Sequence, residues 1–457
     1  MNILIIGAGQ VGQYIAAMLS KEEHNVTLID QDQSKLEMLG RHMDVATLCG
    51  DGTDWDLLDD CLDFNPELFL ALTDNDETNL VACSVAKNLG YPKTVAKVRQ
   101  DRYLNHTRLD FGRIFYVDHF ISPELLLAND VFKHISNPGS IAVESFAHGA
   151  IQMRTIRIPS TWKSDKPLYQ LRKKWPDEMM IGLIRRFYPS GEKGRKGRHD
   201  IIFPHGKDCL KAGDEVTCIG ETDVIENLHQ VFGLALKPAR SAAIVGGSLI
   251  GLHLARILEE HGVSVSIIDK SYDRCCLLSQ KLHRTTVIQH DAADLGFLKA
   301  EKLGDMDVFV TCTDTDEVNL VLAEFGREAG CENVVPVIFK ERYQQAAERF
   351  GLEFTVSPQR SVADRILSIA RASSVTSMAS LYDGKAEILE IKISSDSKIV
   401  GIPVSELGPL LPKDLLLAVI QNRGRVIVVN GDRILSPGDT VIVISSPEHL
   451  DNLRKVF

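Results

Sequence analysis

The sequence lacks several features that would place it in other protein classes. Its nine cysteines are scattered without C-x-x-C spacing, which argues against a disulfide framework and against a structural zinc site. No segment approaches the roughly 18 uninterrupted apolar residues that a membrane span needs. The first residues lack the basic region of a signal peptide. We therefore expect a soluble, cytosolic protein without a metal site.

Clustered positive charge is also scarce. The net charge is −11, and a surface that tracks nucleic-acid phosphates needs grouped Lys and Arg. We therefore expect no nucleic-acid partner. A basic run, GEKGRKGRH at 191–199, is interpreted as a solvated hairpin tip, with contact to anionic lipid as the alternative.

What the chain does contain is an internal repeat. With 457 residues, of which 44% are apolar, it is long enough for several folded domains. The segment LTDNDETNLVAC at 72–83 returns 240 positions later as CTDTDEVNLVLA at 312–323. The motif GAGQVG lies before Asp30 and GGSLIG before Asp269, with 18 positions from the last glycine to the acid in both. The chain therefore carries the same large domain twice.

Each large repeat contains six candidate strands separated by helical stretches, ending with RIFYVDHFISP in the first and LEFTVSP in the second. This order predicts an α/β fold with two Rossmann-like, doubly wound parallel sheets. A smaller α+β repeat follows each sheet. Its segments IIFPHGKDCLKAGDEVTCIG at 201–220 and VIVVNGDRILSPGDTVIVIS at 426–445 predict strand, turn and strand. We expect four lobes, at 1–130, 131–233, 234–370 and 371–457.

Two further segments have apolar residues at helical spacing directly after the sixth candidate strand. They are SPELLLANDVFKHI at 122–135 and SPQRSVADRILSIA at 357–370. A helix of this kind has an apolar face to bury. We expect it either to pack on its own lobe or to exchange onto a partner subunit.

The first glycine motif predicts a nucleotide site. Gly7 permits the tight turn, Gly9 lets the backbone approach a pyrophosphate, and Gly12 allows close helix packing, while the helix N-terminus offers free N–H groups. Asp30 can accept hydrogen bonds from the ribose hydroxyls and would repel a 2′-phosphate, which favours NAD or an adenosine nucleotide over NADP. The alternative is a glycine turn that only packs.

Residues at the carboxyl ends of the other strands complete this prediction. Thr73 and Asp74 follow the fourth strand, at the edge where doubly wound folds bind ligands. Asp74 with Glu77, and Asp314 with Glu317, also have the spacing of a helix N-cap and its capping-box partner. The residues predicted to bind the nucleotide in the first half are Gly7, Ala8, Gly9, Gln10, Val11, Gly12, Asp30, Asp51, Thr73, Asp74, Lys97 and Arg99.

The two halves are predicted to be chemically unequal. Lys97 and Arg99 close the fifth strand of the first half and can pair with phosphates. Their equivalents in the second half are Val337 and Phe339. A serine also replaces the middle glycine in GGSLIG, where its side chain can crowd a pyrophosphate. The second site, predicted as Gly246, Gly247, Ser248, Gly251, Asp269 and Thr313, is therefore either functional or a vestigial turn.

The pattern favours a sensor over an enzyme. A dehydrogenase needs a proton donor and a substrate clamp over the nicotinamide, and the small lobes hold no concentrated His, Lys, Tyr or Asp constellation. We predict no catalytic residues. Duplicated nucleotide folds alternating with small lobes suit a device in which a ligand changes how lobes sit against each other. The alternatives are a soluble NAD-dependent oxidoreductase and a scaffold whose nucleotide sites are relics.

The chain resembles a known family, the cytosolic RCK (KTN) regulators of potassium transport. The resemblance covers the whole chain and rests on GAGQVG with Asp30, the two T-D-x-D-E-x-N segments, AKVR, GGSLIG and the turns LKAGDEV and LSPGDTV. It implies a tandem RCK-N, RCK-C, RCK-N, RCK-C chain that forms a homotetrameric ring.

The same resemblance implies a location and ligands. The ring would be a peripheral protein on the inner face of the cell membrane, beneath a potassium transporter subunit of the TrkH/TrkG type. NAD(H), and alternatively ATP or ADP, would be its regulatory ligands. The cofactor contacts of the family correspond to residues 7–11, Asp30, Thr73, Asp74 and Lys97, whereas Ser248 departs from its usual glycine start.

Overall fold

A computed structural model gives the fold of the chain. It describes residues 1–22, 24–104, 108–137, 140–188, 198–234, 239–352, 355–370, 375–382, 385–409, 411–412, 414–422 and 425–449. Of the predicted hairpin tip at 191–199, residues 191–197 lie outside these residues. The chain divides into two compact units, one formed by Met1–Phe132 with Ala239–Ala370 and the other by Lys133–Pro238 with Arg371–Phe457.

The first half of unit 1 is a six-stranded parallel sheet with the strand order β3-β2-β1-β4-β5-β6. Short runs of β-branched and other apolar residues, such as NILII, form its buried strands. The expected Rossmann-like fold is confirmed. Its elements are β1 (Asn2–Ile6), α1 (Gln10–Lys21), β2 (Asn25–Asp30), α2 (Gln33–Gly40), β3 (Ala46–Cys49), α3 (Trp55–Asp60), β4 (Leu68–Ala71), α4 (Asp76–Leu89), β5 (Thr94–Lys97), α5 (Asp101–Leu104), α6 (Phe111–Phe115), β6 (His119–Ile121) and α7 (Pro123–Ser136).

The second half of unit 1 repeats this sheet, except at its last strand. In chain order, the small lobe that intervenes contains β7 (Ser140–Phe146), β8 (Ile151–Arg157), α8 (Leu168–Leu171), β9 (Met179–Tyr188), β10 (Arg198–Ile202), β11 (Glu215–Glu221), α9 (Thr222–Glu226) and α10 (Leu228–Phe232). The second parallel sheet then follows with β12 (Ser241–Val245), α11 (Leu249–Glu260), β13 (Ser264–Asp269), α12 (Tyr272–Lys281), β14 (Thr286–Gln289), α13 (Leu295–Ala300), β15 (Val308–Thr311), α14 (Asp316–Ala329), β16 (Val334–Pro336), α15 (Glu341–Arg349) and α16 (Pro358–Ala370).

The expected sixth strand of the second sheet is reduced to a bridge. The strand order is β14-β13-β12-β15-β16, and in the described residues the sixth candidate contributes only the parallel bridge between Val337 and Val356. Val337 donates its N–H to Thr311 on β15, so the preceding residue, Pro336, faces the other side. Proline has no N–H to donate there, which limits a further ladder.

Helix α16 completes the core of the other large repeat. Its buried residues Val362, Ile366 and Ile369 belong to the same apolar cluster as Ile5 of β1 and Ile15 of α1. Burying each such side chain contributes about 1.5–3 kcal/mol. The helix therefore packs neither on its own lobe nor on a partner subunit, the two expected outcomes, but on the first half of the same chain.

Unit 2 contains two five-stranded sheets with antiparallel pairings, which confirms the small α+β lobes. The first lobe has the strand order β10-β9-β11-β8-β7. The second is formed by β17 (Val375–Leu381), β18 (Ala386–Lys392), β19 (Leu415–Asn422), β20 (Arg425–Val428) and β21 (Thr440–Ser445). Its strand order is β17-β18-β21-β19-β20. The strands predicted on either side of each Gly-Asp turn are therefore not paired with each other. The turn glycines Gly213 and Gly438 have positive φ angles of 84° and 87°, which glycine adopts at low cost.

The helices of the described residues are all too short or too polar to cross a membrane.

Candidate functional site

The first glycine turn joins β1 to α1 and needs glycine at two positions for its own geometry. Gly7 has φ +97°, and a Cβ there would lie 2.8 Å from the Thr73 nitrogen. A Cβ on Gly12 would lie 1.9 Å from the Gly7 carbonyl oxygen. Both glycines are therefore required for the turn and for helix packing.

Gly9 is different, because the fold itself does not require a glycine there. It is the N-cap of α1 with φ −73° and ψ −177°, a conformation open to any residue. A Cβ would meet its nearest neighbour, Asp74 Oδ2, only at 3.8 Å. No side chain caps the helix at this residue. The first turn of α1, with Gln10 and Val11, therefore presents its amides beside open space, as an anion seat requires.

Asp30 ends β2 directly beside this turn. Its carboxylate accepts hydrogen bonds from the Ala8 N–H at 2.6 Å and the Asp32 N–H at 2.9 Å. These two bonds fix the carboxylate at the carboxyl edge of the sheet. A carboxylate has about four acceptor positions, so Asp30 retains capacity for ribose hydroxyls.

Lys97 supplies a buried positive charge at the same edge. Its side chain is 5% exposed, and its Nζ lies 2.8 Å from Oδ1 of Asp74, whose side chain is 85% exposed. The hydrogen bond from Lys97 holds the pKa of the Asp74 carboxyl below its ordinary value. A buried ammonium needs an anionic partner. Asp74 is one such partner, and a ligand phosphate at this edge would be a second.

Asn79 was not predicted, although it holds this edge together. Its Oδ1 accepts from the N–H and the hydroxyl of Thr73 at 2.9 and 2.7 Å, and its Nδ2 donates to the carbonyls of Thr73 and Lys97. Asp76 accepts from the Arg99 and Gln100 amides at 3.0 Å each. The loop after β4 is thus tied to the end of β5.

The second half repeats these bonds, which explains why the motif is written twice. Asn319 accepts from Thr313 and donates to the Val337 carbonyl, and Asp316 accepts from the Phe339 and Lys340 amides. The asparagine at the same place in both T-D-x-D-E-x-N segments was the available signal. The repeated motif is first of all a clamp between neighbouring strands.

The predicted capping boxes are wrong by one residue. The N-cap of α4 is Asn75, which accepts from the Thr78 amide at 2.7 Å, and that of α14 is Thr315. The Asp74 carboxylate instead accepts a hydrogen bond from Lys97. Glu77 accepts from the Tyr103 hydroxyl at 2.8 Å and Glu317 likewise from Tyr343, so neither glutamate reaches back to its cap.

Asp51 and Arg99 lie at the margins of the site. The Asp51 carboxylate accepts from the Thr53 N–H at 2.8 Å and from the Gln31 amide at 3.0 Å. The Thr53 hydrogen bonds lower its pKa. Arg99 donates to Glu124 of α7 at 3.0 Å and is about half exposed. Arg99 is therefore engaged away from the glycine turn.

The second glycine turn has the same backbone but a different helix end. Gly246 has φ +114°, and the Gly247 N–H donates to Asp269 at 2.6 Å. Ser248 has φ −69° and ψ 172°, close to Gly9, and its hydroxyl accepts from the Gly251 N–H at 3.3 Å. It also donates to the Cys312 carbonyl at 2.8 Å. Ser248 therefore turns its side chain into the protein and caps α11.

The cation beside the second turn also differs from that beside the first. Val337 is fully buried where the first half has Lys97. Arg274 of α12 pairs with Asp314 at 2.7 Å and lies 3.7 Å from Asp269. The spacing of Arg274 after Asp269 equals that of Lys35 after Asp30, but nothing in the sequence indicated the pairing of Arg274 with Asp314.

Among the described residues, no group of three His, Cys, Asp or Glu could hold a metal ion.

Comparison with known proteins identifies the family. Residues 3–123 and 242–358 match the family model of the TrkA-N domain, and residues 388–457 match that of the TrkA-C domain. These ranges cover more than half of the 457 residues. The chain belongs to the TrkA family.

Relatives within the TrkA family match over their full length. Trk system potassium uptake protein TrkA homolog 1 of Methanosarcina mazei is 30% identical over 466 residues, with 100% of both chains covered. Trk system potassium uptake protein TrkA of Halomonas elongata is 29% identical and covers 100% of this chain and 98% of its own. Trk system potassium uptake protein TrkA of Vibrio alginolyticus is 30% identical over 469 residues, covering 100% and 98%.

Solved structures share the TrkA-type fold. The GsuK channel has a TM-score of 0.63 and 18% identity, covering 100% of this chain and 78% of its own. The crystal structure of the GsuK RCK domain has a TM-score of 0.61 and 17% identity, covering 100% and 94%. At these identities the likeness shows the fold alone.

Proposed function

We propose that this chain is a regulatory subunit of a potassium uptake system and that its first glycine turn binds NAD(H), or alternatively ATP or ADP. The observation that carries the proposal is the helix α1, which no side chain caps at Gly9, beside the fixed carboxylate of Asp30 and the buried ammonium of Lys97. This arrangement offers amides and a cation to phosphates and an acceptor to ribose.

The relatives support the biological setting. Relatives that match over the full length are named Trk system potassium uptake proteins. The GsuK structures include one bound to NAD and one bound to ADP. We infer that the partner of this chain is a membrane potassium transporter subunit of the TrkH/TrkG type. The chain would lie at the cytoplasmic face of the membrane as a homotetramer, with lobes at 1–130, 131–233, 234–370 and 371–457.

The bound nucleotide acts as a signal rather than a reactant. A ligand shifts an equilibrium between conformations only by its difference in affinity for them, and a tenfold difference corresponds to about 1.4 kcal/mol. Coupling energies between sites typically amount to about 1–3 kcal/mol. We propose that nucleotide occupancy of the first site changes the conformational balance and thereby the activity of the transporter.

One contact offers a route from the first site to the other half of unit 1. Four residues after Lys97, Asp101 pairs with Arg256 of α11 at 3.1 Å and lies 3.3 Å from Nε2 of His253. Helix α11 begins at the second glycine turn. A change in the loop that follows Lys97 would therefore act directly on the helix of the second site.

The test compares Asp30→Ala with Asp269→Ala, the same change in the second half. Calorimetry with NAD, NADH, ATP and ADP measures binding, and potassium uptake by cells that carry the variant measures function. We expect Asp30→Ala to lose nucleotide binding at the first site, measured with NAD and NADH, and the nucleotide response of uptake. Asp269→Ala should keep first-site binding.

Thermal unfolding is measured for both variants, because each aspartate also accepts a hydrogen bond from its glycine turn. If Asp30→Ala remained folded and abolished binding but left uptake and its nucleotide response unchanged, the regulatory proposal would be wrong. Oxidation of NADH in the presence of carbonyl substrates would also contradict it.

A further inference from the structure

Arg274 lies over the second glycine turn. Asp269 ends β13 and Asp314 follows β15, and these two strands flank β12, which leads into the turn. The Arg274 guanidinium contacts both carboxylates, at 3.7 and 2.7 Å. Oδ2 of Asp269 also accepts from the Gly247 N–H. The guanidinium therefore lies above the turn itself, where this fold binds nucleotide phosphates.

Of its two carboxylate partners, the exposed Asp314 can be displaced. The Arg274 side chain is 44% exposed and that of Asp314 is 64% exposed, and an ion pair in such contact with water is held weakly. A phosphate can form two parallel charge-assisted hydrogen bonds with a guanidinium. A terminal phosphate has a charge of about −1.5 to −2 at neutral pH, and a dinucleotide without a phosphomonoester has no such group.

The helix end increases the dependence of the second site on this cation. Ser248 already occupies the Gly251 amide, which removes one donor from the anion seat of α11. Val337 leaves the site without the buried lysine of the first half. Arg274 is thus positioned to supply the charge that the turn otherwise lacks.

We propose that Arg274 is the phosphate-binding residue of the second turn, and that this turn selects a nucleoside di- or triphosphate over NAD. The proposal rests on the proposed function, because it treats the second turn as a nucleotide site of the same regulatory chain. Asp314 holds the guanidinium in place until a terminal phosphate replaces it, and Asp269 remains bound to the Gly247 and Ser271 amides. The shorter of the two guanidinium contacts is with Asp314, on the far side of β12 from Asp269.

Photolabelling of the full chain tests this proposal separately for each half. The probe is 8-azido-ADP, and the labelled peptides are assigned to the first or second half by mass spectrometry. Unlabelled ADP, NAD and NADP are the competitors. We expect ADP to prevent labelling of the second half at concentrations at least about tenfold below those of NAD or NADP, a difference of about 1.4 kcal/mol.

Three variants test the role of Arg274. Arg274→Ala should raise the probe concentration for half-maximal labelling of the second half by roughly tenfold or more. Asp314→Asn should lower it, because it weakens a competing contact. Lys35→Ala, the matched change in the first half, should leave the second half unchanged. Melting curves should stay close to that of the parent chain, since the exchanged side chains are exposed.

Opposite results overturn the proposal. They are unchanged or tighter labelling of the second half in folded Arg274→Ala, equal competition by NAD or NADP, or no labelling of the second half in the parent chain. Labelling of the first half reports on the proposed function independently. A chain that labels only in the first half would therefore refute the role of Arg274 and leave the first site intact.

Discussion

Placing at Gly9 the serine that caps the second turn should weaken anion binding at the first turn. Gly9 and Ser248 have nearly the same backbone angles, with φ −73° and −69°. A Cβ at Gly9 would have no neighbour closer than 3.8 Å. Gly9→Ser should therefore fold without strain and place a hydroxyl where Ser248 has one.

The two expected free-energy changes differ in size. A serine N-cap is favoured over glycine by only a few tenths of a kcal/mol, so the free energy of unfolding should stay the same or rise slightly. The new hydroxyl would occupy the Gly12 amide, as Ser248 occupies that of Gly251 at 3.3 Å. Losing one hydrogen bond to a charged phosphate costs about 1.5–3 kcal/mol, which corresponds to a roughly 10- to 150-fold higher Kd.

Calorimetry of Gly9→Ser with NAD and ADP measures this loss, and urea denaturation measures stability. Ser248→Gly is the matched control. It should lose a few tenths of a kcal/mol of stability and keep the affinity of the first site. If folded Gly9→Ser bound nucleotides at the first site with the parent Kd, the α1 amides would not be the anion seat.

Three further predictions concern the edge of the sheet and the second helix. Asn79→Ala, and equally Asn319→Ala, should lower the free energy of unfolding by about 2–4 kcal/mol, because buried groups lose their partners; a loss below about 1 kcal/mol in urea denaturation would contradict the clamp. Lys97→Met should weaken nucleotide binding in calorimetry with little loss of stability, since Asp74 is 85% exposed and can be solvated; an unchanged Kd would remove Lys97 from the site. Burial lowers the pKa of His253. The neutral imidazole therefore contributes stability above the ordinary histidine pKa of about 6.5, and this stability is lost as the pH falls through the lowered pKa of His253. His253→Gln should therefore lose less stability than the parent between pH 7 and pH 5 in thermal unfolding, and an equal loss would contradict this.

The local patterns of the sequence carried most of the fold. The glycine turns and Asp30 follow from short-range geometry, because the required conformation and spacing lie within one strand-turn-helix unit. The helical spacing of residues 357–370 likewise predicted α16. It could not name the surface that α16 covers, since an apolar stripe fits any apolar face of suitable shape.

The details of the site depend on contacts between distant residues. Asp74 and Asn75 are both good capping residues, and Lys97, 23 positions away, decides which of them caps α4. Arg274 reaches Asp314 across 40 positions. Such a pairing depends on the order of the strands, which the sequence around Arg274 does not contain.

The central claim is that the first glycine turn of this chain binds an adenine nucleotide that regulates potassium uptake. Calorimetric titration of the purified chain with NAD and ATP, together with Asp30→Ala and Asp269→Ala, tests the binding step most directly. We predict saturable heat with NAD that disappears in folded Asp30→Ala and persists in Asp269→Ala, whereas heat with ATP from the second turn remains in Asp30→Ala. Absence of heat with both nucleotides, or equal heat with NAD in the parent chain and Asp30→Ala, would contradict the account.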